Sequence, residues 1–143
     1  MQGKRRPLIA IFVDYIGLLA PEKESGNRVQ DISTITRGLK SMAMEMHVPV
    51  IAASQLSRAA AGDVMPALHN LRESGSIEQD ANTVLFLHDP GTTTAEESAK
   101  GVYRRQLLLR KNRHGRSEAD YDLFFAPGVN RFVMWEAGHG ETR

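Results

Sequence analysis

The chain predicts an α/β domain: a parallel sheet with flanking helices, extended at its C-terminal end by antiparallel strands. Three observations carry that prediction. Two short apolar runs, "PLIAIFV" (residues 7–13) and "VPVIAAS" (residues 48–54), lack the alternation of a half-buried strand. They read as strands buried on both faces, as in parallel sheets. A long helical pattern lies between them, and strand, helix and strand make a βαβ unit, right-handed almost without exception. From residue 102 onward the chain turns to strand-like runs separated by short turns, the pattern of antiparallel hairpins.

The first strand ends at Asp14 and is followed by a polar loop, "PEKESGN" (residues 21–27). A helix is predicted over residues 28–46, because Val29, Ile32, Ile35, Leu39, Met42, Ala43 and Met46 recur at spacings of three and four and share one face. Asn27 caps its start, with Gln30 reaching back as in a capping box. Gly38 weakens its interior by about 1 kcal/mol, and His47 and Pro49 mark its end. The methionines on the stripe read as core packing. After the second strand, residues 55–70 have weak periodicity and end in a loop. "TVLFL" (residues 83–87) is a third strand, and residues 88–101 are turn-rich and expected to be mobile. The antiparallel part comprises "VYRRQLLLRKN" (residues 102–112), "YDLFFAP" (residues 121–127), a turn at Gly128, Val129 and Asn130, and "RFVMW" (residues 131–135). With no repeat and no clear linker, residues 1–143 are expected to form a single domain.

Composition narrows the class. With 143 residues, 41% hydrophobic and 24% charged, the chain has the make-up of a soluble globular domain able to bury a core without staples. It has no cysteine, which excludes disulfides and thiolate metal sites and fits a cytosolic setting. No apolar run approaches the ~20 residues of a membrane span. The basic start "MQGKRR" before an apolar run imitates a signal peptide, but Asp14 and the lack of a small-residue cleavage site exclude that reading. Net charge is only +1. The distribution is more telling: residues 104–116 hold six Lys or Arg and no acid, and 13 of the 18 basic residues are Arg, the side chain whose planar fork suits phosphate.

Ligands of open parallel sheets bind at the carboxyl ends of strands, where Asp14 and Gln55 stand. An aspartate there can hold Mg²⁺ through water beside nucleotide phosphates, or can simply cap a turn. A glutamine can orient a water or sense a γ-phosphate, or can face solvent. "RKNRHG" (residues 110–115) is a basic turn that either reaches a phosphate on another subunit or is a solvated hairpin tip. Arg104 and Arg105, being adjacent on a strand, point to opposite faces. The five histidines lack metal-ligand spacing, there is no G-x-S-x-G elbow, and no phosphate-cradling G-x-x-x-x-G-K-[ST] occurs. "LRESGSIEQDAN" (residues 71–82) packs anion-binding and hydrogen-bonding groups against the entrance of an apolar strand, far more than a connection needs.

Taken in order, "IAIFVDYIGLL", "HVPVIAASQLSR", "LRESGSIEQDAN" and "LLLRKNRHG" closely resemble the C-terminal RecA-like motor domain of DnaB-type replicative helicases, over residues 8 to 135. The resemblance implies a partial RecA-like P-loop NTPase core and a hexameric helicase that couples ATP hydrolysis to 5′-to-3′ movement on single-stranded DNA. It implies that Asp14 is the Walker B aspartate ordering the hydration shell of Mg²⁺. Gln55 becomes the residue that feels the γ-phosphate of ATP. Arg72, Glu73 and Gly75 become the segment on the single-stranded DNA backbone, where Arg72 can fork to a phosphate, Gly75 lets backbone N–H groups approach, and Glu73 fixes the loop or presents its own N–H. Residues 76–79 carry the cap pattern of a short anchoring helix. Lys111 and Arg113 become the pair inserted across the subunit interface, Arg113 as arginine finger.

A helicase loader and a primase are further partners the resemblance implies. It places the family's phosphate loop and catalytic glutamate upstream of the matched region, so the chain alone is expected to be inactive as an ATPase. Where the family often has Asn-Gly-Pro after the finger, this chain has His114, Gly115 and Arg116. Two other readings stand beside this one: a non-catalytic module that grips DNA or a helicase subunit, and a phage or plasmid RecA-fold ATPase.

Overall fold

The apolar run that opens the chain forms a strand only over its last residues. In the computed structural model, which describes residues 7–56, 65–71 and 75–134, β1 is Ile11–Val13. Helix α1 follows at Arg28–Met46, then β2 at Val50–Ala52, α2 at Gly75–Asp80 and β3 at Thr83–His88. Helix α3 is Ala95–Ala99, and β4 Tyr103–Asn112, β5 Ala119–Ala126 and β6 Arg131–Met134 complete the described chain. The residues divide into two compact units, one of Met1–Ala59 with Leu68–Ala81, the other of Ala60–Ala67 with Asn82–Arg143.

In the first unit β1 and β2 pair in parallel, Ile11 opposite Val50, Phe12 opposite Ile51 and Val13 opposite Ala52. Helix α1 is the crossover between them. It has the boundaries its periodicity predicts, and its start is capped by Asn27 Oδ1, which accepts the Val29 N–H at 3.0 Å. The second half of the cap differs from expectation. The Asn27 N–H donates to Ser25 Oγ at 3.1 Å, so Ser25, not Gln30, completes the turn into the helix. At the other end His47 adopts the left-handed conformation, φ 52°, and its N–H returns to Ala43. Ile32 and Ile35 are buried together with Ile16, Leu71 and Ile77, but the stripe does not hold along its length: Val29 and Met46 are exposed, while the polar Asp31 and Thr36 are buried. Both polar groups are satisfied. Asp31 Oδ1 accepts the Ser25 N–H at 2.9 Å, and that donor, with the Ser25 hydroxyl and the charge of Arg28, holds the Asp31 carboxyl below its usual range.

The expectation that both parallel strands are buried on two faces is overturned. Phe12 is 75% exposed and Ile51 48% exposed. These register partners lie on the face away from the half-buried alternate positions, and among the described residues nothing covers that face.

The second unit is an antiparallel sheet of order β3-β4-β5-β6. The third apolar run therefore joins the hairpins, not the parallel pair, with Phe86 opposite Leu108. Val84, Phe86 and Leu108 are its buried side chains, whereas Leu85 and Leu87 on the alternate face are about half exposed. Stacked Phe125 and Phe132, 4.6 Å between centroids, close the far edge. Residues 88–101, read as mobile turns, instead contain α3. Its signal was in the sequence: Thr94 and Glu97 form a capping box, Thr94 Oγ1 accepting the Glu97 N–H at 3.2 Å and Glu97 Oε2 accepting the Thr94 N–H at 2.8 Å.

Candidate functional site

The turn that leaves β1 is built onto the end of β2. The Ala53 N–H donates to Val13 O at 2.9 Å and the Ile16 N–H to Ala53 O at 3.0 Å. These two bonds bracket Asp14, which is exposed, and bring it beside the strand that leads to Gln55. A tight turn follows. The Leu18 N–H returns to Tyr15 O at 3.0 Å, and a Cβ on Gly17 would sit 2.4 Å from the Tyr15 ring, so only glycine allows the ring to fold over the turn.

From the first turn of α1, Arg28 Nη2 donates to Gly17 O at 2.8 Å and Nη1 to Leu19 O at 3.5 Å. The same groups frame a cavity of about 250 Å³ lined by Tyr15, Gly17, Arg28, Ser54, Gln55 and Ile77 among others. The structure thus brings Asp14 and Gln55 to adjoining strand ends, and Gln55 onto a concave wall; Asp14 is not part of that wall.

Beyond Gln55 the chain makes one more sheet-like contact. Leu56 and Leu71 form an antiparallel bridge, with Leu71 buried. The residue after Gln55 is therefore tied to the residue before Arg72. Arg72 and Glu73 themselves lie outside the described residues. Gly75 is exposed and opens α2. The expected short helix is present, but it begins at Gly75, so Ser76 is inside it and not its cap. The Ser76 hydroxyl is buried without a hydrogen-bond partner among the described residues. Among the described residues a Cβ added to Gly75 would meet nothing within 4 Å, so their packing does not explain the glycine.

Lys111 and Arg113 stand in the other unit, Lys111 half-buried near the end of β4 and Arg113 exposed in the turn that follows. Asn112 shapes that turn: its Oδ1 accepts the His114 N–H at 3.2 Å and its Nδ2 donates to Arg116 O at 3.2 Å. The Arg113 N–H is anchored to Asn82 O at 2.9 Å. The backbone of this basic turn is therefore shaped by side-chain and main-chain hydrogen bonds.

The neighbouring Arg104 and Arg105 are both taken up structurally. Arg104 holds Glu97 through Nε and Nη2 at 2.7–2.9 Å, and Arg105 pairs with Asp89 at 3.0 Å. Among the described residues no group of three or more His, Asp, Glu or Cys could hold a metal ion, and no helix is long and apolar enough to cross a membrane.

Residues 1–134 match the family of the DnaB-like helicase C terminal domain. The chain belongs to that family. It is 46% identical over 111 residues to the replicative DNA helicase DnaB of Rickettsia conorii, covering 76% of this chain and 22% of that protein. It is 43% identical over 108 residues to a probable plasmid replicative DNA helicase of Chlamydia psittaci, covering 74% of this chain and 23% of the relative. It thus spans less than a quarter of either relative's length.

Two solved structures share its fold. One, an ATPase domain, superposes with a TM-score of 0.77 at 38% identity, over 95% of this chain and 46% of that one. A DnaB-like replicative helicase, described with its interactions with primase, also superposes with a TM-score of 0.77 at 38% identity, over 95% of this chain and 32% of that one. The RecA-like α/β class expected from the motifs is therefore the fold of this DnaB-type chain.

Proposed function

We propose that this DnaB-type chain is the C-terminal part of a replicative DNA helicase motor, one that couples ATP hydrolysis to movement along single-stranded DNA. The observation that carries the reading is the join at the ends of β1 and β2. Asp14 and the strand leading to Gln55 are locked side by side, and the Leu56–Leu71 bridge links the nucleotide-facing end to the segment that begins at Arg72.

The cofactors in this reading are ATP and Mg²⁺. A magnesium ion that keeps most of its waters needs only one or two protein carboxylates, which a lone exposed Asp14 fits. Bound there, the ion would neutralise charge on the phosphates. Gln55, on the neighbouring strand end, senses the γ-phosphate, and the bridge behind it passes a shift of its backbone to Arg72. Arg72 forks to a DNA phosphate, Glu73 shapes the loop, and Gly75 leaves room for a phosphate to approach the main chain. Lys111 and Arg113 act in trans, placing positive charge against the nucleotide of the adjoining subunit in a homo-hexamer. Movement is 5′-to-3′, with successive subunits holding successive phosphates. A helicase loader and a primase are the protein partners of this reading, with no membrane and a cytoplasmic setting.

The phosphate loop has no counterpart in this sequence, so the 143-residue chain by itself is inactive as an ATPase and hydrolysis needs the remainder of a motor domain. Two measurements test the reading. The chain should bind labelled oligo(dT) in a salt-dependent manner, Arg72→Ala should weaken that binding, and no ATPase should accompany it; an Asp14-dependent ATPase from the chain alone would refute the assignment. In a complete helicase polypeptide containing this sequence, Arg113→Ala should lower the hydrolysis rate by 10³-fold or more, in the range of arginine-finger losses, with nucleotide binding retained. Normal turnover by that variant would remove the trans role.

A further inference from the structure

We infer that the partly buried Thr36–Asp80 hydrogen bond is a positioning contact for DNA: it fixes the helix that carries Gly75, and so sets how that glycine is offered to a phosphate. The inference rests on the DNA-binding reading of Gly75.

Thr36 is a polar residue at a core position of α1, only 6% exposed. Its hydroxyl donates to Asp80 Oδ2 at 2.5 Å across 44 residues of sequence. Asp80 is the last residue of α2 and Gly75 the first, so the contact grips α2 at the end opposite the glycine. The buried apolar residues of these two helices are Ile77 of α2 and Ile32 and Ile35 of α1. A six-residue helix cannot sustain itself; its orientation depends on what holds it. A hydroxyl on a charged acceptor is directional in a way that three apolar side chains are not.

The first turn of α1 is fixed independently. Arg28 grips the Gly17 and Leu19 carbonyls of the turn that follows Asp14. One rigid helix therefore touches both the turn after Asp14 and the helix behind Gly75. Thr36 is a positioning residue with no contact to DNA of its own.

The experiment measures fluorescence anisotropy of labelled oligo(dT) with the full 143-residue chain, at a temperature where each variant is folded by circular dichroism. Thr36→Val keeps the shape and loses the hydroxyl; Thr36→Ser keeps the hydroxyl and loses the methyl; Asp80→Asn keeps an acceptor and loses the charge. Thr36→Val should bind about five-fold more weakly, the low end of ordinary coupling between sites, while Thr36→Ser binds like wild type and Asp80→Asn, whose acceptor is neutral, falls between the two. Wild-type affinity in Thr36→Val, or equal losses in Thr36→Val and Thr36→Ser, would overturn the inference and leave the DNA reading standing. If the wild-type chain shows no binding to oligo(dT), the DNA reading fails and the inference fails with it.

Discussion

At Gly75 the demands of the fold and the proposed contact with DNA can be tested apart. A glycine in a helix costs up to about 1 kcal/mol relative to alanine, and among the described residues nothing within 4 Å of its missing side chain requires it. Gly75→Ala should therefore leave thermal stability unchanged or slightly raised while weakening oligo(dT) binding; a variant that binds like wild type would show that the glycine is not kept for close approach. Leu108 is the opposite case. It is 0% exposed in the middle of β4, and Leu108→Ala should cost ~2–5 kcal/mol by chemical denaturation, the usual range for a cavity of that size. The residues that carried the functional reading, Asp14, Gln55 and Arg113, were legible as types at strand ends and turns. Thr36 was not legible: in the sequence it is one more polar residue on a helix, and only the arrival of Asp80 from 44 positions away gives it a role.

At the scale of elements, α1 obeyed its periodicity because nineteen residues give a pattern long enough to outvote local exceptions. Helix α3 was lost because five residues give almost no pattern; it exists through its capping box and the Arg104 clamp. That clamp makes a pH prediction. Arg104, then the Thr94 N–H, pull the Glu97 pKa from 4.5 down to about 2. A carboxylate depressed on folding stabilises the native state fully above its unfolded pKa and loses that effect as pH falls towards the folded one. The Glu97–Arg104 contribution should thus be complete at neutral pH, decline below about pH 4.5 and be gone below about pH 2. Thermal unfolding of Glu97→Gln should lack this component, so wild type and variant should converge in stability as the acid range is entered; parallel curves from pH 7 to pH 2 would refute it. Hairpin β4–β5 shows the same dependence on local chemistry, since Asn112 closes the turn that holds Arg113.

For the whole molecule, what the fold leaves uncovered matters most. Parallel strands are normally buried on both faces, yet among the described residues β1 and β2 have only each other as neighbours and expose Phe12 and Ile51. Among the described residues strand β3 has β4 as its one neighbour, with Leu85 and Leu87 half exposed. Unpaired edges beside apolar side chains invite strand pairing. The isolated chain should therefore self-associate with rising concentration in light scattering, and Phe12→Lys or Ile51→Lys should suppress this; a strictly monomeric chain at high concentration would count against it.

The sequence by itself determined the fold class, the limits of α1, the hairpin succession and the family, because these are written in periodicity and in contiguous motifs. Tertiary structure decided the rest: that β3 joins the antiparallel sheet, that Ser25 completes the cap, that Leu56 meets Leu71, and that Thr36 meets Asp80. The physical reason is that a period records which face of an element is apolar, whereas a hydrogen bond between distant residues depends on where two elements come to lie, and no local pattern encodes that.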